Sequence, residues 1–454
     1  MADGSAEDMG LDDAGPGSLD LDEVYVTQTV RSTLAYTVEW TTDAPADTEL
    51  EIVCESGMRT SFVDPTLETA HALFVMGLVP RDRCDLELRS ADAEGRRGSR
   101  SESIQVDQVP RSFPARSGIS VPASEPDRMQ PGWTLVSLMN LGSADPIVIA
   151  LVDEDGRYRW YYSPGDYAFN TGVNEVSVQP EGILIGATGE NDLQLVGWDG
   201  ATLWSGSSAI AHHDIRRYPD AGHVTTLHNK GTCFGNGIAG GVIRVDMDTG
   251  DEVWRWNVCD HFTAENPPPA TGHDWAHLNT FQPTQEPGDF LLSYRNIDSV
   301  TRVSEATGEI RWRLGPEGDF DIEPDAVFYR QHSAIELPSG NILMFDNGHE
   351  ELRPTSRALE VRLDMDAMTA ELAWAYEAPE GWFRRIWGDA DRLANGNTLI
   401  GWGNGPPPGE RCHVEEVTPE GERVWLLELP LGWATYRADR VDVPALVRRL
   451  DSLP

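Results

Sequence analysis

One short pattern recurs through residues 110–454 and constrains the fold more than any other feature. It consists of an apolar stretch, a turn that ends in glycine, and a tryptophan four places after that glycine. The copies are Gly156–Trp160, Gly200–Trp204, Gly250–Trp254, Gly308–Trp312 and Gly421–Trp425, with a sixth, lengthened copy from Asp364 to Trp374. Each copy is typical of a β-hairpin, and repetition at intervals of roughly 50 residues predicts a repeated structural unit.

A second hairpin precedes five of these copies, as in VNEVSVQPEGILIGA and HSAIELPSGNILMFD. Two hairpins make a four-stranded antiparallel sheet, and six such sheets predict an all-β, six-bladed β-propeller over residues 110–454. One blade cannot bury both faces of its sheet, so we expect the repeated tryptophans to pack between blades. We also expect a strand from near residues 110–135 to pair with the C-terminal stretch that begins at Ala434 and so close the ring.

The N-terminal part of the chain has a different character. Residues 1–22 are acidic and poor in large apolar side chains, which predicts a disordered segment. Residues 23–109 contain short alternating strands separated by turn-forming residues, which predicts a small β-sandwich. The stretch from Leu78 to Ala91 resembles the fibronectin type III pattern L-x-P-x-x-x-Y-x-x-x-x-x-A, with Cys84 in the place of the tyrosine. This resemblance implies that Cys54 and Cys84 lie on neighbouring strands and are able to form a disulfide.

Charge and composition exclude several classes of partner. The formal net charge of −40 would repel nucleic acid and anionic membrane surfaces, so we expect neither as a partner. No apolar run approaches the roughly 18 residues that a membrane span needs, so we expect no direct insertion into a membrane. The five cysteines form no C-x-x-C pair, which argues against a structural zinc site. Two disulfides, with Cys233–Cys259 as the second pair, and one free thiol would fit an extracytoplasmic protein, whereas five thiols would fit a cytosolic one.

Three histidines occupy the same place in successive inner hairpins. His213, His277 and His332 each lie six residues before the residue that initiates the hairpin turn. Because the innermost strands of a propeller line its central channel, we expect the three imidazoles to meet at one level around the channel axis. Structural histidines or an inherited duplication would give the same pattern without a function.

Other polar residues accompany the three histidines. Asn279 follows His277 by two places and is expected on the same strand face, and Arg295 is expected on the return strand of that hairpin. His212 is expected on the face opposite to His213. A His₃ zinc site is one interpretation, but a neighbouring arginine would repel the cation. Transfer of an anionic group is the other, with a neutral imidazole as nucleophile and an arginine fork on the oxyanion. A non-catalytic binding propeller is the third.

Several strings resemble the bacterial arylsulfotransferases, the aryl-sulfate sulfotransferases with a six-bladed propeller. They are His212–Ile215 (HHDI), Asp274–Asn279 (DWAHLN), Ser293–Arg295 (SYR), Gln331–Ala334 (QHSA), Pro338–Leu343 (PSGNIL) and Ala394–Leu399 (ANGNTL). The resemblance covers roughly residues 125–440. It implies an enzyme that moves a sulfuryl group from an aryl sulfate to a phenol through a sulfated histidine, without a nucleotide donor.

The resemblance also implies a role for each candidate residue. His332 would be the nucleophile, and His213 and His277 would transfer protons and stabilise charge. Asn279 and Arg295 would bind the sulfuryl oxygens. Neither a metal ion nor another cofactor is implied, and the partners would be an aryl sulfate donor and a phenolic acceptor. Family members are typically exported, which favours a periplasmic or extracellular location. No signal peptide is visible in the first residues, so the cytoplasm is the alternative.

Overall fold

A computed structural model describes residues 17–114, 119–140, 147–163, 173–187, 192–207, 211–218, 222–228, 232–233, 237–238, 240–261, 274–404 and 410–450. The chain divides into two compact units. Unit 1 comprises Met1–Gln108 and Ala445–Leu453, and unit 2 comprises Val109–Pro444 with Pro454. Within the described ranges both units are built from β-strands joined by turns and short 3₁₀ helices, and no α-helix occurs.

Unit 1 is a six-stranded, hydrogen-bonded β-structure. Its strands are β1 (Leu21–Gln28), β2 (Tyr36–Cys54), β3 (Arg59–Val75), β4 (Arg83–Ala91), β5 (Arg97–Gln105) and β34 (Val447–Arg449). The sheet order is β34-β3-β2-β4-β5, with β1 paired to the first half of β2. Buried and less buried residues alternate along β2, as expected for a strand with one face in a core.

The core of unit 1 is fixed by a ring stack and a disulfide. Trp40 stacks on His71 with 4.9 Å between ring centroids. Cys54 and Cys84 are directly opposite each other on β2 and β4, and their sulfurs are bonded. The predicted Cys54–Cys84 pairing is therefore confirmed. The described secondary structure of unit 1 consists of β-strands, as predicted. Its likeness to fibronectin type III stays a prediction.

Two boundaries expected from the sequence differ in the structure. The segment predicted to be disordered, residues 1–22, ends in ordered structure, because Leu19 and Leu21 are buried and β1 begins at Leu21. Their apolar side chains alternate with acidic residues, which the acidic composition of the segment obscured. Residues 1–16 lie outside the described residues. The C-terminal residues assigned to the propeller instead return to unit 1, where β34 pairs with β3.

The described strands of unit 2 include six sheets, each built on four antiparallel strands. Sheet 1 is β33-β7-β8-β9, sheet 2 is β10-β11-β12-β13, sheet 3 is β14-β15-β18-β19, sheet 4 is β20-β21-β22-β23, sheet 5 is β25-β26-β27-β28 and sheet 6 is β29-β30-β31-β32. Two further strands extend sheets at their outer edges: β24 pairs with β28 and β6 pairs with β32. A separate two-stranded pair is β16-β17.

The bounds of these strands, in chain order, are β6 (Ser120–Ser124), β7 (Trp133–Asn140), β8 (Val148–Val152), β9 (Tyr158–Tyr162), β10 (Val173–Gln179), β11 (Gly182–Ala187), β12 (Asp192–Gly197), β13 (Thr202–Ser207), β14 (Ala211–Tyr218), β15 (His223–His228), β16 (Thr232–Cys233), β17 (Gly237–Ile238), β18 (Gly241–Asp246), β19 (Glu252–Asn257), β20 (Leu278–Pro283), β21 (Asp289–Tyr294), β22 (Ser299–Ser304), β23 (Ile310–Leu314), β24 (Asp321–Ile322), β25 (His332–Glu336), β26 (Ile342–Asp346), β27 (Arg357–Asp364), β28 (Thr369–Tyr376), β29 (Asp389–Arg392), β30 (Thr398–Gly401), β31 (His413–Val417), β32 (Arg423–Glu428) and β33 (Trp433–Val441). Short 3₁₀ helices cover Pro126–Arg128, Val258–Asp260, Arg295–Ile297 and Pro324–Ala326. In the part of the chain that the structure describes, no helix is long and apolar enough to span a membrane.

The first strands of the six sheets contact one another in a closed cycle. β33 contacts β10, β10 contacts β14, and the series continues through β20, β25 and β29 back to β33. Sheet 1 joins the two ends of unit 2, because β33 near the C-terminus pairs with β7 near the start. The expected closing pair is therefore present, although its N-terminal strand begins at Trp133, at the end of the range predicted for it.

Several of the repeated tryptophans donate a hydrogen bond to the next sheet. Trp160 of sheet 1 donates from Nε1 to Trp198 O of sheet 2 at 2.8 Å, and Trp204 of sheet 2 donates to Met247 O of sheet 3 at 2.7 Å. Trp425 of sheet 6 donates to Glu154 O of sheet 1 at 2.9 Å, which completes the circuit. The prediction that these tryptophans pack between sheets is confirmed at these positions.

The third copy of the repeat makes its connection differently. Trp256, rather than the repeat residue Trp254, donates to Gly308 O of sheet 4 at 2.9 Å. Trp254 packs edge-on against Phe290 of sheet 4, with 5.8 Å between ring centroids. The second predicted disulfide, Cys233–Cys259, is formed close by. Cys412 is a buried free thiol, so the described cysteines form two pairs and one thiol, which is one of the two arrangements that the sequence left open.

Candidate functional site

The inner strands of sheets 3, 4 and 5 are irregular where they approach the ring axis. The pairing register shifts between His212 and Ile215 in β14, between Leu278 and Thr280 in β20, and between His332 and Ile335 in β25. A β-bulge of this kind bends a strand and re-aims its side chains. The irregularity therefore recurs at the histidine position of each of the three hairpins.

Left-handed backbone conformations accompany these bulges. φ is +62° at His213, +49° at His277 and +52° at Ser333. Such values are uncommon for residues with a side chain and store strain of order 1–3 kcal/mol each. One consequence corrects a prediction. His212 does not point away from His213, because the bulge breaks the strand alternation and brings the two rings to 4.7 Å between centroids, with Nδ1 atoms 2.6 Å apart.

The structure brings the three predicted histidines into one cluster. The His213 and His277 rings meet edge to face with 5.1 Å between centroids, and the Tyr436 ring lies 5.8 Å from that of His213. His332 is 1 % exposed and close enough for the charges of Arg295 and His277 to lower its pKa. Residues from β14, β25, β33 and the approach to β20 thus converge although they are far apart in sequence.

Burial keeps the imidazoles of His212, His213 and His332 neutral. It lowers the pKa of His213 and of His332 well below the usual value, and neighbouring positive groups lower both further. Burial, followed by the charge on His277, lowers the pKa of His212 to about 3. A neutral imidazole retains a lone pair on one nitrogen, which is what a nucleophile or a general base requires.

Asp274 orients His277. Its Oδ2 accepts a hydrogen bond from His277 Nδ1 at 2.5 Å. Burial works to raise the pKa of Asp274, but the hydrogen bond from His277 and the charges on His277 and His212 lower it below its ordinary value. An ionised carboxylate at Nδ1 fixes the ring and stabilises the imidazolium when Nε2 takes a proton. Asp274 lies in the DWAHLN string, but the repeat spacing of the histidines gave no reason to assign it a role.

His332 is held from both sides of its ring. Its Nδ1 lies 2.7 Å from Asn347 Oδ1 and 3.1 Å from Arg330 O. Its Nε2 accepts the backbone N–H of Trp387 at 3.3 Å. Sequence analysis missed Asn347, which follows β26 and is therefore the residue after the return strand of the His332 hairpin. The same position in the preceding sheet is Arg295, and this equivalence is the signal that could have found it.

Arg295 lies beside the histidines, one residue beyond the return strand on which it was expected. β21 ends at Tyr294, and Arg295 begins the 3₁₀ helix Arg295–Ile297. Its Nη1 donates to Asn296 Oδ1 at 2.7 Å and its Nη2 donates to Arg385 O at 3.1 Å. These contacts orient the guanidinium while its charge acts on His332.

Asn279 is fully buried, and the structure gives it a different neighbour from the one predicted. Its Nδ2 donates to Gln331 O at 2.8 Å, and its Oδ1 accepts from Thr280 Oγ1 at 3.1 Å. The bulge at Leu278 separates its direction from that of His277, so the shared strand face expected from a spacing of two is not maintained. Asn279 therefore connects β20 to the residue before His332.

Sequence analysis missed a buried ion pair between Asp214 and Arg437, which lies next to the histidine cluster. Asp214 Oδ2 accepts from Phe281 N at 3.0 Å and from Arg437 Nη1 at 3.3 Å. Arg437 Nη2 also donates to Asn279 O at 3.1 Å. These contacts join β14, β20 and β33 directly behind His213. Asp214 lies in the His212–Ile215 string, but Arg437 lies on β33 of sheet 1 and matches no position of the histidine pattern.

A cavity of about 270 Å³ lies further along the same inner strands. Its lining residues are Arg216, Gln282, Pro283, Gln285, Ser333, Ile335, Glu336, Asp389, Asp391, Arg437 and Asp439. Burial, followed by the charge on Asp439, raises the pKa of Asp391 to about 7. Burial also raises the pKa of Asp389 and of Asp439 above the usual value.

The geometry does not favour the metal interpretation. Within the described ranges, the group of ligand atoms close enough to share one ion consists of Cys54, Asp82 and Cys84. The two sulfurs of that group are bonded to each other, so they are not available as thiolate ligands. The nitrogens of His213, His277 and His332 form no such group. Neutral imidazoles at His213 and His332 beside the guanidinium of Arg295 suit an anion better than a cation.

Comparison with known proteins identifies a family. Residues 119–425 match the family described as Arylsulfotransferase (ASST). No curated protein matches the chain. Among solved structures, a Bacteroides caccae protein of unknown function is 16% identical, with a TM-score of 0.48, over 68% of this chain and 98% of its own. The Cps50 (Swd1) β-propeller domain of Myceliophteria thermophila is 11% identical, with a TM-score of 0.42, over 70% and 98%. Hydrazine synthase of Kuenenia stuttgartiensis is also 11% identical, with a TM-score of 0.38, over 60% and 70%.

Proposed function

Because this chain belongs to the arylsulfotransferase family, a membership shown by the match over residues 119–425, we propose that it transfers a sulfuryl group from an aryl sulfate to a phenol through a sulfated His332. The observation that carries the proposal is the cluster of His213, His277 and His332 beside Arg295, inside the matched residues. Family membership supports sulfuryl transfer in general, and the cluster supports the route through a histidine.

In the first half-reaction, His332 Nε2 attacks the sulfur of the aryl sulfate. An N–S bond forms, and the S–O bond to the aryl group breaks with its electron pair left on the phenolic oxygen. His277 begins this step as an imidazolium held by the Asp274 carboxylate, and its Nε2 gives that oxygen a proton as it leaves. The low pKa of His332 supports its role as nucleophile, because the lone pair stays available over the physiological range.

In the second half-reaction, the acceptor phenol takes the place of the departed one. His277 Nε2 removes the phenolic proton, the oxygen attacks sulfur, and the N–S bond breaks to return the electron pair to His332. His277 serves as the acid in the first half-reaction and as the base in the second, because the second is the chemical reverse of the first. His213, whose ring touches that of His277, stabilises its charged state.

Arg295 stabilises the negative charge on the sulfuryl group during its transfer. A sulfuryl group carries negative charge on its outer oxygens, and a guanidinium presents a rigid fork of donors to such oxygens. Asn279, predicted to share this task, is buried and donates to Gln331 O. We therefore assign Asn279 to positioning of the strand that carries His332.

The proposal extends to architecture and location. We infer a six-bladed propeller preceded by a fibronectin type III-like domain, supported by the cyclic contacts of the inner strands and by the Leu78–Ala91 pattern. A periplasmic or extracellular location is supported by the two disulfides, since such bonds persist in oxidising compartments.

A turnover assay with matched variants tests the function. The wild-type protein should release phenol from a chromogenic aryl sulfate only when a second phenol is supplied. His332→Ala should lower turnover by at least about 1,000-fold, because the covalent route needs the imidazole. His223→Ala, at the far end of its hairpin, should match the wild type. Absence of turnover in the wild type with a panel of aryl sulfates and phenols would favour a non-catalytic binding protein.

A further inference from the structure

The two nitrogens of His332 face groups of opposite hydrogen-bonding type. Nδ1 lies 3.1 Å from Arg330 O, and a carbonyl oxygen can only accept. Nε2 lies 3.3 Å from Trp387 N, and a backbone N–H can only donate. These two contacts involve backbone atoms, whose identity is unambiguous. They both require the proton of the neutral ring on Nδ1 and the lone pair on Nε2.

Asn347 agrees with this assignment, and its own orientation is fixed independently of His332. Its Nδ2 donates to Arg384 O at 2.9 Å and to Trp387 O at 2.8 Å. Two carbonyl acceptors leave the amide one stable orientation, because a flipped amide would place oxygen against oxygen. The remaining atom, Oδ1, therefore faces His332 Nδ1 at 2.7 Å as an acceptor. Asn347 is completely buried, so water cannot take its place as the acceptor at His332 Nδ1 or as the donor to the two carbonyls.

We propose that Asn347 is a positioning residue for the sulfuryl transfer, an inference that rests on the function proposed above. It holds His332 in the tautomer with the proton on Nδ1 and thereby directs the incoming sulfuryl group to Nε2. Because Asn347 also binds the carbonyls of Arg384 and Trp387, it ties the ring to the backbone that leads into β29.

The contact at Nδ1 matters most after the bond has formed. When Nε2 takes the sulfuryl group, the ring keeps its Nδ1 proton and acquires positive charge. Asn347 Oδ1 and Arg330 O then accept from a charged donor, and such hydrogen bonds are roughly twice as strong as neutral ones. The interaction strengthens as the reaction proceeds, which is the condition for an effect on rate rather than on binding alone.

The Trp387 N–H changes partner in the same step. In the resting site it donates to the Nε2 lone pair, and that pair is consumed by the new N–S bond. The N–H is then left beside the transferred group, whose oxygens are acceptors. Trp387 reaches this place with φ of +62°, a left-handed conformation that is strained for a large side chain. The backbone at this position is therefore held by its surroundings rather than by its own preference.

Nitrogen NMR on the resting wild-type protein tests the tautomer without reference to activity. With ¹⁵N-labelled histidine, and with His332→Gln to assign the signal, His332 should show a protonated Nδ1 and an unprotonated Nε2 at pH 7. In Asn347→Leu the population of that tautomer should fall. A resting His332 with its proton on Nε2 would overturn the proposal, whatever the enzyme transfers.

Single-turnover formation of the sulfated enzyme tests the role in the reaction. With a chromogenic aryl sulfate and no acceptor, Asn347→Leu should form the adduct about 10- to 100-fold more slowly, the range typical of residues that orient a reactive ligand. Asn341→Leu, at the tip of the same hairpin, is the matched control and should react at the wild-type rate. Thermal unfolding of both variants shows whether each is folded at the assay temperature.

Asn347→Asp supplies a result that a merely structural residue would not give. It keeps an acceptor at Nδ1, loses the two donations to the carbonyls of Arg384 and Trp387, and adds negative charge, which favours the doubly protonated ring. Adduct formation should recover part of the rate at pH 8 and fall as the pH is lowered, whereas Asn347→Leu should stay slow throughout. Equal rates for the two variants at every pH, or a wild-type rate in Asn347→Leu, would refute the positioning role. Failure of the wild type itself to form an adduct would instead count against the proposed function.

Discussion

The proposed roles of His277 and His332 follow from the group that each ring meets at Nδ1. His277 receives a carboxylate at Nδ1 from Asp274, whereas His332 receives a neutral amide from Asn347. A carboxylate favours a ring that can carry a proton, whereas an amide oxygen at Nδ1 keeps the ring neutral with its lone pair on Nε2. The same residue type is thus suited to acid–base work at one position and to nucleophilic attack at the other.

Removal of the charge at Asp274 should separate these roles. Asp274→Asn retains the shape of the side chain but no longer stabilises the His277 imidazolium, so we expect turnover of aryl sulfate with phenol to fall by about 100-fold or more. The loss should be smaller for donors whose phenol has a low pKa, because such a leaving group needs less help from a proton. Asp248→Asn, at an exposed turn, provides the control. Equal rates for Asp274→Asn and wild type would remove His277 from proton transfer.

The carboxyl of Asp391 should make the stability of the protein depend on pH. Its pKa is about 7 in the folded protein, and an ordinary aspartate has a value near 4. Between these values the folded state keeps a proton that the unfolded chain has lost, so stability falls as the pH rises through this window.

Asp391→Asn should therefore be about 2 kcal/mol more stable than wild type at pH 8 and nearly equal to it at pH 4, since the amide never ionises. This magnitude is roughly half of what the full shift would give, because the side chain is partly exposed. Urea unfolding at the two pH values measures it, with exposed Asp127→Asn as the control. A stability difference that does not change with pH would show that Asp391 ionises normally.

At the scale of the strand, the bulges explain both the success and the failure of sequence analysis. The hairpin repeat was sufficient to align His213, His277 and His332, because an equivalent register survives in each sheet. Side-chain direction was not predictable, since it was derived from strict alternation. The register shift and the positive φ at His213 turned His212 toward the site, and the shift at Leu278 turned Asn279 away. No sequence pattern marks these positions as bulges.

The inter-sheet tryptophans predict a graded effect on stability. Trp425 is fully buried and donates to Glu154 O, whereas Trp374 makes the same kind of bond to Pro419 O from a more exposed position. Replacement by phenylalanine removes one hydrogen bond at each site but leaves a cavity mainly at the buried one. Trp425→Phe should lower the free energy of unfolding by about 2–3 kcal/mol and Trp374→Phe by about 1 kcal/mol. Equal losses in urea unfolding would contradict this assignment of their roles.

At the scale of the whole chain, the sequence contained the repeat but not the way its ends are used. The pairing of β33 with β7 was predictable, because the first copy of the repeat is irregular and the C-terminal stretch that begins at Ala434 remains after the last copy. The return of β34 to unit 1 was not, because its three residues carry no pattern of their own and their partner lies more than 370 residues earlier. Contacts of this range, like that of Arg437 with Asp214, depend on the closed ring and leave no local signal.

The proposed function requires that His332 carry the sulfuryl group during turnover. Mass spectrometry of the protein incubated with an aryl sulfate and no acceptor, digested under conditions that preserve an N–S bond, measures this directly. We predict a mass increase of one sulfuryl group on the peptide that contains His332, and its disappearance when a phenol is added. Turnover without any adduct on that peptide, or an adduct that a phenol does not discharge, would contradict the account.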